Sequence, residues 1–198
     1  MATLPPGSGS RIAIVGCSGA GKSHLARQLS ARLGLPHVEL DGLFHQANWE
    51  PLETLAFQAH TRERTPADGA WVACGNYHHK VGQSLLARAT HIVFLDYPKH
   101  IVMGRMLGRS LGRVATRQVL WNGNRERWRN LLHLDPEKNI VLWAWVRWGH
   151  YRVQYRALVE SEAWAHAQVW HLRHPKEAEA LLALVVPGHE VQSLGGTR

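Results

Sequence analysis

Short apolar runs alternate along the chain with stretches of helical periodicity. Five runs read as strands: residues 11–15 (Arg-Ile-Ala-Ile-Val), 37–41, 71–75, 91–96 and 168–172. Between the first two, Leu25, Leu29 and Leu33 recur at helical spacing over residues 21–33, and Gly34 and Pro36 supply the stop. Asn48-Trp49-Glu50-Pro51 reads as a turn ahead of a polar-faced helix over 52–64. Pro98 opens a helix to about 112, where its missing N–H costs least. Residues 120–134 and 138–164 read as two further helices, and Pro175 starts a last one ending near Val186. In the long helix Val141, Trp145, Trp148, Tyr155 and Leu158 fall near one face, which predicts core tryptophans. Strands alternating with helices predict an α/β domain: a mainly parallel sheet, helices on both faces, and a ligand site at the carboxyl ends of the strands.

Length and composition narrow this to one domain. The 198 residues bury a core but do not divide into two full-sized units, so residues 11–186 are read as a single domain. Residues 1–10 form a Pro/Gly/Ser leader without a charged n-region or apolar h-region, and 187–198 form a tail. No apolar run reaches the length of a membrane span, which predicts a soluble, cytoplasmic chain. Cys17 and Cys74 make no disulfide framework and are expected as reduced thiols. A net charge of +8 with fourteen histidines counted neutral favours an anionic ligand or partner without naming it.

The most specific signal is Gly16-Cys17-Ser18-Gly19-Ala20-Gly21-Lys22-Ser23, a G-x-x-x-x-G-K-[ST] loop between the first strand and the first helix. Its glycines let successive amides and the helix N-terminus converge into a positively polarised cradle for phosphate oxygens. Gly16, Ser18, Gly19, Ala20, Gly21, Lys22, Ser23 and His24 are therefore the expected nucleotide-binding positions. Lys22 is expected on the β/γ-phosphates and the Ser23 hydroxyl on Mg²⁺.

Acids and arginines extend the site. Glu39 and Asp41 alternate onto one face of the predicted second strand, so both carboxylates could meet one cleft. Asp41 is a candidate base or metal organiser, with a turn cap at Gly42 as the structural alternative. Asp96, at the end of the fourth strand, is a candidate to act on the metal through water, or a turn residue. Arg105 and Arg109, continued by Arg113 and Arg117, form a four-spaced basic stripe with no acid spaced to pair with it. A bound polyphosphate or a solvated basic face would each account for it. Arg152 and Arg156 lie four apart and could reach the phosphates. Cys74, His78 and His79 suggest zinc only weakly, because the spacing is not a standard one and no fourth ligand is evident.

Over roughly Arg11 to Pro175 the chain resembles the P-loop kinases of the adenylate-kinase group, and more closely the bacterial adenylate-kinase-like DNA topology modulation proteins. The resemblance rests on the loop, Leu40-Asp41 with Trp49, Trp71 with Gly75-Asn76-Tyr77, Leu95-Asp96 with Pro98, and Arg105 with Gly108-Arg109. It implies a P-loop NTPase three-layer sandwich with a five-stranded parallel sheet in the order 2-3-1-4-5. It also implies Mg-ATP as phosphoryl donor and a helical lid at about residues 110–130. Arg105 and Arg109 match the arginines that hold ATP and its phosphates. The Asp-Gly-aromatic-Pro-Arg run of adenylate kinases is replaced by Cys74-Gly75-Asn76-Tyr77-His78-His79-Lys80, which leaves the acceptor open. The expected function is transfer of the γ-phosphoryl of Mg-ATP to a nucleotide or other small-molecule acceptor, with Lys22, Asp41, Arg105 and Arg109 carrying the chemistry. The alternative is a nucleotide-dependent DNA-binding or regulatory protein, although no DNA-reading motif is visible.

Overall fold

A computed structural model of the chain describes residues 9–185, so the expectations for residues 1–8, Val186 and the tail lie outside the described residues. Five parallel strands, β1 (Arg11–Gly16), β2 (His37–Glu39), β3 (Trp71–Cys74), β4 (His91–Leu95) and β5 (Gln168–Leu172), form one sheet in the order β2-β3-β1-β4-β5. The helices are α1 (Lys22–Leu33), α2 (Leu40–Phe44), α3 (Thr54–Arg64), α4 (Gln83–Arg88), α5 (Lys99–Ala115), α6 (Trp128–Leu131), α7 (Ile140–Glu160) and α8 (Pro175–Leu184). None of them is long and apolar enough to cross a membrane.

Strand alternation builds a core on each face of the sheet. Ile12, Ile14, Val72, Cys74, Val93 and Leu95 point to one side, against Leu25 and Leu29 of α1, Val102 and Met106 of α5, and Leu181 and Leu182 of α8. Ala13, Val15, Trp71, Ala73, Ile92 and Phe94 point to the other, against Phe57 of α3, Leu85 and Leu86 of α4, and Tyr155 of α7. With both faces covered, the central strands read as continuous apolar runs and not as alternating ones. The loop after β1 is thereby set at the carboxyl edge of the sheet's central strand.

Several sequence expectations are corrected. The second strand stops at Glu39, so Asp41 is not a strand residue; it lies in the first turn of α2. The reason is register: Glu39 stands opposite Cys74, the last residue of β3, beyond which no partner strand continues. Residues 120–134 are not one helix. Asn122 and Gly123 take left-handed φ values of 53° and 78°, leaving a tight turn at Trp121–Gly123 and the short α6. The long helix is Ile140–Glu160, and Trp145 faces outward at 56% exposure, with the Lys99 ammonium 3.6 Å from its ring centroid. A π-helical turn, His78–Gly82, leads into α4, a segment for which no element was expected.

Candidate functional site

The loop is shaped by glycines that no other residue replaces without strain. Gly19 has φ +88°, and a Cβ on it would lie 2.7 Å from the Val102 carbonyl oxygen and 3.1 Å from Met106 Cβ. The backbone therefore passes directly against α5. Gly21, at φ 102°, precedes α1 without any side-chain cap, so the first-turn amides of that helix are left to an outside acceptor. Lys22 curls over the loop and donates to the Cys17 carbonyl at 3.1 Å. Burial lowers its pKa, while the Asp41 carboxylate works in the opposite direction.

The arginine stripe meets this loop at Arg105. Arg105 donates from Nη1 to the Ala20 carbonyl at 3.1 Å, with its guanidinium 5.5 Å from the Tyr97 ring centroid. One turn on, Arg109 lies within electrostatic reach of Glu126, Asp41 and Glu39, while desolvation and the neighbouring Arg113 lower its pKa. Arg113 leaves the stripe by pairing with Glu126 at 2.6 Å, an acid thirteen residues away that helical spacing does not expose. Arg152 and Arg156 do not turn to the loop. They pair with Asp96 at 2.8 and 2.7 Å, and His171 Nε2 joins them at 2.9 Å. The Asp96 side chain is 2% exposed, and a carboxylate that deep needs such partners.

Two further carboxylates, Asp41 and Glu39, lie within electrostatic reach of Arg109. Tyr77 donates its hydroxyl to Asp41 Oδ1 at 2.7 Å, and burial together with that carboxylate raises the phenol pKa. Glu39 Oε2 accepts from the Trp121 indole at 3.0 Å. Cys74 lies beneath, 3.7 Å from Ser23 Oγ and 3.5 Å from His37 Nε2; burial pushes its thiol up to about 12. Ser23, the second residue of α1, thus carries its hydroxyl at the end of the loop, in contact with Cys74. Among the described residues no group of three or more His, Cys, Asp or Glu side chains is arranged to hold a metal on its own.

Sequence reasoning did not foresee how far the segment after α5 closes over this side. Asn124, 4% exposed, accepts from the Trp49 backbone N–H at 2.9 Å and donates to the Gln46 carbonyl at 2.7 Å. Asn122 Nδ2 donates to the carbonyls of Gly42 and His45. Trp121 stacks on His45 with centroids 6.3 Å apart and stands edge-on to Trp49. Trp49 holds a left-handed φ of 64°, which is costly for a bulky residue and persists because Asn124 fixes its amide. The asparagines and tryptophans at 49 and 121–124 were readable only as polar loop and helix, because their partners lie about 75 residues away.

Loop, sheet order and the Arg105 contact define an α/β protein of the P-loop NTPase type. No family model matches the sequence, and no curated protein is significantly similar to it. Solved structures that superpose include a gluconokinase from Sinorhizobium meliloti 1021, at 19% identity over 88% of this chain and 92% of that one, TM-score 0.46. A shikimate kinase from Acinetobacter baumannii, in complex with shikimate, matches at 15% identity over 88% and 91%, TM-score 0.47. A shikimate kinase from Bacteroides thetaiotaomicron matches at 17% identity over 88% and 94%, TM-score 0.44. Likeness at this level carries no conclusion about what this chain acts on.

Proposed function

We propose that the protein is an ATP-dependent phosphotransferase that moves the γ-phosphoryl group of Mg-ATP to a hydroxyl of a small molecule. The observation that carries this reading is the division of charge about the loop. Lys22 and Arg105 bond the loop from α1 and α5, and Arg109 and the Asp41 carboxylate both act electrostatically on Lys22. Phosphoryl transfer needs in-line positioning and cations that match charge spreading over the transferred group. The loop amides and Lys22 would hold the β/γ-phosphates, and Arg105 and Arg109 would offset the developing charge.

Ser23, through its hydroxyl, and Asp41, through water, would hold Mg²⁺, which when bound would supply positive charge against the phosphates. Asp41 is also placed to take the acceptor's proton, because Tyr77 fixes one of its oxygens and no ion pair among the described residues consumes it. Asp96 is read differently. Its contacts with Arg152, Arg156 and His171 make it the tie that holds α7 to the ends of β4 and β5.

Contacts of Arg105 with the loop favour the kinase reading over the nucleic-acid one, which would use a stripe leading away from it. The test is ADP release from Mg-ATP in the presence of hydroxyl acceptors, by the wild type and by Asp41→Asn. Acceptor-dependent turnover that Asp41→Asn lowers by about a hundredfold or more, with ATP affinity nearly kept, supports the reading. Tight nucleic-acid binding at physiological salt, with no acceptor-dependent turnover, refutes it.

A further inference from the structure

The acceptor side of the site has a chemical character of its own. Its wall can be followed from contact to contact. Ser23 meets Cys74; Cys74 stands in register with Glu39; Glu39 binds Trp121; Trp121 stacks on His45. His45 Nε2 lies 3.4 Å from the Tyr77 hydroxyl, Tyr77 binds Asp41, and Asp41 acts electrostatically on Lys22, which returns the path to the loop. Trp49 fills the outer side, 5.4 Å from His45 and 6.4 Å from Trp121 between ring centroids.

Two features of this wall select a ligand. First, each carboxylate has one oxygen fixed by a neutral aromatic donor, Glu39 by Trp121 and Asp41 by Tyr77. Among the described residues no hydrogen bond reaches the other oxygen of either, and an ionised carboxylate can only accept. A ligand there must bring donors. Second, the cations that couple to the pair, Lys22 and Arg109, belong to the phosphate side, where the donor nucleotide needs them. Lys80, the charged residue nearest Tyr77 in sequence, points elsewhere: its ammonium bonds Thr54 Oγ1 at 3.3 Å and lies over the Phe44 ring. Burial holds His45 toward its neutral form, against the pull of Asp41. An acceptor already carrying a carboxylate or phosphate would face two like charges, and among the described residues the cations shown to act on them, Lys22 and Arg109, are the ones that the donor's phosphates would occupy.

Resting on the phosphotransferase reading, we infer that the acceptor is an uncharged polyhydroxylated molecule of the sugar or cyclic-polyol class. Its hydroxyls donate to the open oxygens of Glu39 and Asp41, and its C–H face lies against Trp121 and Trp49. One hydroxyl oxygen forms the new bond to the γ-phosphorus while the bond from that phosphorus to the β,γ-bridging oxygen breaks. ADP leaves with the electron pair, and the hydroxyl proton passes to Asp41. Glu39 binds a second hydroxyl and sets which one faces the phosphorus.

The experiment uses the full chain. Mg-ATP binding is measured first by calorimetry, and a chain that does not bind it refutes the phosphotransferase reading together with this inference. ADP release is then followed with millimolar uncharged sugars, linear polyols and cyclitols, with carboxylated and phosphorylated counterparts, and with nucleoside monophosphates. The expected result is turnover of at least one uncharged polyol with kcat/KM about a hundredfold or more above every charged acceptor. Glu39→Gln is expected to raise the acceptor KM about tenfold or more while ATP affinity stays within about twofold. Trp121→Phe, which keeps a ring but loses the indole donor, should raise it by a smaller factor. Preference for a nucleoside monophosphate or another charged acceptor overturns the inference and leaves the phosphotransferase reading standing. Failure of every uncharged polyol with an ATP-binding protein overturns it as well, as does an unchanged acceptor KM in Glu39→Gln.

Discussion

Replacing Arg105 by alanine separates a strut for the loop from a ligand for ATP. In the free chain this side chain is exposed, donates one hydrogen bond to the Ala20 carbonyl at 3.1 Å, and faces the Tyr97 ring at 5.5 Å. A hydrogen bond to a neutral acceptor and a cation–π contact made by an exposed guanidinium each contribute roughly 0.5–1 kcal/mol, so Arg105→Ala should cost about 1 kcal/mol. For a domain of this size that is a melting shift of about 2–4 °C. A guanidinium has five donors, so the Ala20 bond leaves others for a phosphate oxygen. Hydrogen bonds to charged groups contribute about 1.5–3 kcal/mol, which converts to about ten- to a hundredfold weaker Mg-ATP binding in the variant. Calorimetric titration with Mg-ATP, paired with thermal melts, reads both quantities. Arg105→Lys should recover only part of the affinity, because an ammonium lacks the planar fork. Unchanged ATP affinity alongside the small melting shift would show that Arg105 only braces the loop. Duplex DNA serves as the control: Arg105→Ala/Arg109→Ala that loses DNA binding but keeps ATP affinity would sink the phosphotransferase assignment of the stripe.

Lys22→Ala should abolish tight Mg-ATP binding and turnover with little effect on the melt, because its one described hydrogen bond is to the Cys17 carbonyl; equal affinity by calorimetry refutes this. Gly19→Ala should destabilise the fold by roughly 2 kcal/mol or more, since a Cβ there meets the Val102 carbonyl at 2.7 Å with φ at +88°. Gly104→Ala, with open space around its Cβ in α5, should stabilise by about 0.5–1 kcal/mol, and urea melts of the pair that fail to move oppositely contradict the assigned backbone strain. Burial lowers the pKa of His37, His45, His78 and His91 from the ordinary 6.5, so the unfolded chain binds more protons as pH falls through that value. Stability should therefore be retained above pH 6.5 and decline below it; His91→Gln should flatten the decline, and a flat wild-type profile from pH 7.5 to 5 would refute it.

How much of this was legible in the sequence divides by range. The strands and the loop were readable because buried parallel strands are continuous apolar runs, and a phosphate loop needs its glycines, lysine and hydroxyl at fixed spacing. The arginines of α5 were readable because helical spacing is local. What was not readable depends on partners far along the chain. The strand at residues 37–41 was overextended because its end is set by where β3 stops, opposite Glu39. Residues 120–134 carry helix-compatible side chains, yet Asn122 and Asn124 spend their amides on carbonyls near residues 42–46, and those bonds hold the turn open. The pairing of Arg113 with Glu126, and of Arg152 and Arg156 with Asp96, likewise spans 13 to 60 residues.

These long-range pairings also distinguish acids that hold the fold from acids free to act. Asp96 and Asp41 looked alike in sequence, each following an apolar run and each followed by a turn. In the fold Asp96 is enclosed by two arginines and a histidine, so moving a proton onto it would strand two guanidinium charges without their partner. Asp41 has no ion pair among the described residues; a phenol holds one oxygen, and Lys22 and Arg109 act on it only at longer range. Accepting a proton there breaks no salt bridge. Among the described residues no acid pairs with those two cations at close contact, which leaves them available to the phosphoryl group in the proposed reaction. In the proposed reaction a base and its cations can share one cleft only while they stay apart, and the hydrogen bonds from Tyr77 to Asp41 and from Trp121 to Glu39 would maintain that separation. The hydrogen bond from Tyr77 is therefore expected to govern where the proton goes, and the Trp121 bond to govern which acceptor hydroxyl presents it.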